Sequence, residues 1–126
     1  MRYLIDTNIL IYALCKPDEL SLESKRILAN EKDISVSVVS LWEIAIKQSI
    51  GKLNIQLSIP QIETICLERD INIISIKSIE IENVKTLPMI HKDPFDRLII
   101  CQAQNNDMCL VTSDSTIPKY NIKTLW

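Results

Sequence analysis

Four acids could do chemistry together if the fold gathers them: Asp6, Glu43, Asp96 and Asp114. Carboxylates a few Å apart repel one another unless they are protonated or bridged by cations. Hard divalent cations with oxygen ligands are the natural bridge, and Mg²⁺ takes one or two carboxylates, waters and a substrate phosphate. Such a site can activate water and stabilise the leaving oxygen of an in-line phosphodiester displacement. Asp96 carries the most weight. At about 100° per residue, Phe95, Leu98, Ile99, Ile100 and Ala103 cover one broad apolar arc of a helix, and Asp96 falls inside it. An unpaired carboxylate buried there is costly or shifts its pKa. Asp96 therefore lines a cleft or has a partner, and the sequence offers no obvious basic one.

Each acid also has a purely structural reading. Ser40 with Glu43 three residues on is a capping box that would open a helix at Ser40. Asp93, followed by Pro94, reads as a helix cap. Asp6 and Asp114 fit ordinary turns. The pattern that separates the two readings is convergence on one rim with no lysine or arginine at the strand ends.

The elements that must do this positioning alternate. Strands are expected at 2–5, 34–38, 71–76, 108–112 and 121–125. Helices are expected at 9–14 (capped by Thr7 or Asn8), 21–30, 40–50, 60–69, 78–87 and 94–105. Gly51, the only glycine, closes the third of these helices. Strands alternating with helices imply a mostly parallel sheet of about five strands, covered on both faces, in a three-layer α/β/α sandwich. Ligand sites of such sheets lie where strands end and helices begin. Asp6 and Asp114 follow strands, and Glu43 and Asp96 are expected in first turns of helices.

At 126 residues, with no repeats or linker, residues 1–126 read as a single domain. A net charge of −2 does not suit a purely electrostatic nucleic-acid binder, so nucleic-acid chemistry would need a recruited cation or a local basic rim. Cys15, Cys66, Cys101 and Cys109 form no CxxC pair and read as buried, reduced thiols of a cytoplasmic protein; with one histidine, a zinc site is not expected. No secretory signal or membrane-spanning run is expected. Apolar residues on two sides of the regions Ile55–Ile59 and Ile62–Cys66 suggest a homodimer.

Four segments resemble the PIN-domain family, specifically VapC-type toxin ribonucleases of toxin–antitoxin modules: Leu4–Asn8, Val39–Lys47, Asp93–Ile99 and Leu110–Asp114. They come in the family's order, and the tail Lys119–Trp126 is similar to that of a subgroup. The resemblance implies Mg²⁺ or Mn²⁺ dependence, cleavage of single-stranded RNA, a cognate antitoxin and a homodimer. It puts the catalytic and metal-binding acids on Asp6, Glu43, Asp96 and Asp114. Asp93 and Asn8 become auxiliary positions, Asn8 standing where the subgroup often has a histidine. Thr112 and Ser113 are expected to donate hydrogen bonds to the acids. Lys47, Lys92 and Arg97 are expected to contact the RNA phosphates. Two rival functions remain at this stage. A different metal-dependent phosphoryl-transfer domain, such as a receiver, would want an acidic pair after the first strand and a lysine where Thr112-Ser113-Asp114 stands. A non-enzymatic acidic groove could receive a basic partner.

Overall fold

Tyr3–Ile5 form the central strand, β1, and everything else is laid against it. The structure is a computed structural model that describes residues 1–126. β2 (Ile34–Ser37) and β4 (Cys109–Val111) flank β1, with Ile5 in register with Val36 on one side and Val111 on the other. β3 (Ile71–Ile74) and β5 (Thr124–Leu125) form the edges, giving the all-parallel order β3-β2-β1-β4-β5. A parallel sheet needs both faces covered, and the three interior strands are accordingly buried on both.

Strand alternation divides the core in two. Tyr3, Ile5, Val36 and Val111 point to the face covered by α1 (Thr7–Cys15), α2 (Leu22–Asn30), α3 (Val38–Ser49) and α4 (Ile59–Glu68), which contribute Ile9, Ile27, Ile44 and Ile62. Leu4 and Leu110 point to the face covered chiefly by α6 (Pro94–Asn105), with Ile99, Ile100 and Ala103, and by the segment after α5 (Ser78–Val84) that carries Leu87. This is the expected three-layer α/β/α sandwich, with five strands and six α-helices. Single 3-10 turns lie at Pro17–Glu19 and Ile117–Lys119.

Several local expectations are corrected. α1 is capped by Asp6 itself, whose Oδ1 accepts the Ile9 N–H at 2.9 Å, rather than by Thr7 or Asn8. α3 starts at Val38 because Ser37 caps it through the Val39 N–H, so Ser40 and Glu43 make no capping box and Glu43 lies in the second turn. The Ser40 hydroxyl instead receives the Thr7 hydroxyl at 2.9 Å. The box occurs at α4, between Ser58 and Gln61. Gly51, with φ +73°, follows α3, but α4 and α6 end on the left-handed aspartates Asp70 and Asp107. Ile62 and Cys66 are buried in the core, and Ile55 and Ile59 pack against it half-buried. All four cysteines are free, but Cys15 is exposed at the end of α1 rather than buried. No helix is long and apolar enough to cross a membrane.

Candidate metal centre

The four acids meet at the carboxyl edge of the sheet. Asp6 follows β1 directly and is 3% exposed, because α1 folds over its cap position. Burial pushes its pKa up from 3.8 to about 6, against hydrogen bonds from the Thr112 side chain and the Ile9 N–H; the charges of Asp114 and Glu43 push the same way as burial. Asp96 is the third residue of α6 and sits where the sequence put it, on the buried side of the first turn. Its pKa rises to about 7, first through desolvation and then through the charges of Asp93, Asp6 and Glu43, with His91 opposing. The two acids are thus held where losing charge is easy and sharing a cation is favourable.

Glu43 reaches the cluster from the second turn of α3 and is 5% exposed. Its Oε2 pairs with Lys47 at 3.1 Å, one turn along the same helix. Its Oε1 is buried with no hydrogen-bond partner. A buried carboxylate oxygen without a donor is costly, and a cation or its water shell would satisfy it. Asp114, after β4, is half-buried. Desolvation would raise its pKa, but the His91 side chain and the Thr116 N–H, 2.7 Å from Oδ1, outweigh that and hold it below the usual carboxylate range.

The acids do have basic neighbours, which come from a helix and a loop rather than from the strand ends. Lys47 serves Glu43, and His91 Nε2 lies 2.8 Å from Asp114 Oδ2 and 3.1 Å from Asp96 Oδ2. Lys47 was legible as the residue four after Glu43 on a helix. His91 lies in the irregular segment between α5 and α6, which gives no periodicity to place it. That segment is fastened from both sides. Arg97 Nη1 donates to the Pro88 and His91 carbonyls at 2.9 and 3.3 Å, and Nη2 to those of Val84 and Leu87 at 3.2 and 3.0 Å. The Tyr120 hydroxyl donates to the Pro88 carbonyl at 2.8 Å and accepts the Ile90 and His91 N–H groups at 3.1 and 2.6 Å.

The remaining positions divide. Arg97 is 6% exposed and fully engaged with these carbonyls, which corrects its expected role as a phosphate contact. Lys92 and Asn8 are exposed beside the rim. Asp93 caps α6, its Oδ1 accepting the Phe95 and Asp96 N–H groups at 2.8 and 3.3 Å. Thr112 is buried and its Oγ1 accepts the Asp114 N–H at 3.0 Å, while Ser113 is exposed. Next to the acids, Trp42 and Phe95 meet edge to face with centroids 5.0 Å apart and help line an apolar groove of about 350 Å³ with Val39, Val84 and Leu98. Trp42 is 57% exposed there.

Carboxylate oxygens, one of them buried and unsatisfied, are the donors that suit a hard divalent cation. Asp96, Asp114 and His91 each place one potential ligand atom within 4.8 Å of the others. The PIN domain family model matches residues 3–123. Comparison with curated protein sequences gives no match. Among solved structures, VapBC2 from Rickettsia felis, bound to a DNA fragment from its promoter, is similar with a TM-score of 0.73 at 22% identity, covering 99% of this chain and 98% of that one. VapBC-1 from nontypeable Haemophilus influenzae gives 0.67 at 21%, covering 99% and 97%. A toxin–antitoxin complex from Klebsiella pneumoniae gives 0.66 at 21%, covering 98% and 96%.

Proposed function

This chain belongs to the PIN domain family, and from that premise we propose that it is a divalent-metal-dependent endoribonuclease cleaving single-stranded RNA, the toxin of a toxin–antitoxin pair. The observation that carries the reading is the acid quartet, with its buried and unpartnered Glu43 oxygen and its two carboxyls pushed up to about 6 and 7. An arrangement of this kind is poorly explained by stability, since crowded carboxylates repel one another and a buried oxygen without a donor is costly. Asp6, Asp96 and Asp114 would hold Mg²⁺ or Mn²⁺, and Glu43 would complete the site through Oε1. The chemistry that a cation held by these residues would supply is activation of water for attack on phosphorus and stabilisation of charge on the leaving oxygen. The chain's own part is to fix the acids, keep Asp6 and Glu43 dry, and offer a carboxylate to take the proton from water. Lys92, exposed on the rim, is available to a phosphate.

The toxin part rests on the similarity to toxin–antitoxin complexes. The apolar groove at Trp42 and Phe95 supports a protein partner beside the site, an antitoxin or a second copy of the chain. A cytoplasmic location accords with four free cysteines. Purified protein should cut single-stranded RNA with Mg²⁺ or Mn²⁺, stop with EDTA, and leave 5′-phosphate ends that can be ligated. Ends bearing a 2′,3′-cyclic phosphate would show metal-free acid–base cleavage and defeat the proposal.

A further inference from the structure

His91 stands among the acids with its two ring nitrogens in different company. Nε2 faces the carboxylate oxygens of Asp114 and Asp96 at 2.8 and 3.1 Å. Nδ1 accepts the backbone N–H of Asp93 at 3.1 Å. A nitrogen that accepts from an amide carries no proton, so the ring proton sits on Nε2 and the two acids share it. A histidine that ligates a metal almost always donates its other ring N–H to a carboxylate, carbonyl or water. Here the other nitrogen meets a donor. Ligation through Nε2 would move the proton to Nδ1 and set it against the Asp93 N–H, donor against donor. The proximity of His91, Asp96 and Asp114 therefore does not make three ligands.

We propose that His91 is a positioning residue: an Nε2–H donor that ties Asp96 to Asp114 and stays outside the ligand set of the cation. This rests on the metal-dependent reading above. The two acids come from different elements, one from the first turn of α6 and one from the loop after β4. One ring proton fixes their separation. Asp114 is then oriented at both oxygens, Oδ1 by the Thr116 N–H and Oδ2 by His91, and each oxygen keeps a lone pair for a cation. The backbone that carries the ring is pinned on both sides. The His91 N–H donates to Tyr120 at 2.6 Å, and the His91 carbonyl accepts from Arg97 at 3.3 Å.

His91 is the only histidine, so ring-labelled protein gives a single imidazole spectrum. Long-range proton–nitrogen NMR should show the Nε2–H tautomer, and the same tautomer after Mg²⁺ is added. Pulsed EPR of the protein loaded with Mn²⁺ should show no nitrogen coupling of a coordinated imidazole. In calorimetry, His91→Ala should weaken Mn²⁺ binding by about 10–100-fold, the usual effect of losing a partner of a metal ligand. His91→Gln, which keeps a side-chain N–H donor of similar reach, should recover most of that loss. A coordinated-nitrogen signal, a switch to Nδ1–H on adding Mg²⁺, or equal losses in the two variants would overturn the proposal. Parent protein that binds no Mn²⁺ defeats the nuclease reading and this one together. Parent protein that binds Mn²⁺ through nitrogen defeats only this one.

Discussion

Asp96 separates a metal site from a helix end most cleanly. Asp93 caps α6, so the structural role left to Asp96 is a first-turn charge on the helix dipole, and Asp96→Asn should cost such a role no more than about 1 kcal/mol. It removes one charge from a crowd of acids, so without metal the variant should be as stable as the parent or more so. The parent should gain about 1.4 kcal/mol from Mn²⁺ or Mg²⁺ at ten times the dissociation constant. The variant should lose most of that gain together with RNA cleavage. Thermal melts with and without metal read the difference, and equal shifts in the two proteins would return Asp96 to the helix end. The position was legible because a carboxylate inside an apolar arc needs an explanation. Glu43 was legible only as an acid. Its capping reading failed because Ser37 caps α3 three residues earlier than Ser40 would, and serines at both positions look alike in sequence.

At the scale of elements, most of the alternation could be read from periodicity, and the boundaries moved where a cap was ambiguous. The helix expected over 78–87 stops at Val84, and what sequence could not show was the irregular segment from there to His91. Its shape depends on Arg97 and Tyr120, which reach it from other elements. The guanidinium is buried against four carbonyls, Val84 at the end of α5 among them, where the helix dipole also favours a cation. Arg97→Met keeps much of the bulk and removes every donor. It should cost about 3 kcal/mol or more in urea unfolding, since several buried carbonyls lose a charged partner at once. It should also lower metal affinity, because the same segment carries His91. A variant within about 0.5 kcal/mol of the parent would show that water replaces the guanidinium without loss.

For the whole molecule, the raised carboxyls tie stability to pH. Asp6 and Asp96 bind protons more tightly folded, at about 6 and 7, than unfolded, near 3.8. The native state then holds more protons between these values, so stability falls as pH rises. Metal-free protein should be more stable at pH 5 than at pH 8, and Asp96→Asn should flatten the slope; urea titrations at the two pH values test both. Asp114 and Glu80, held low by hydrogen bonds, act in the opposite sense and only at more acidic pH. Strand order, which the sequence did not fix, has a consequence in time. β1 is made first and β4 late, yet β4 lies against β1 and brings Asp114 to Asp6. At about 5–20 residues per second of synthesis, roughly 5 to 20 seconds separate the two aspartates on the ribosome. Through that interval Asp6, Glu43 and even Asp96 can be present without their fourth companion. On the nuclease reading, the ribosome that makes this chain faces no finished cutting site until β4 and the loop after it have emerged.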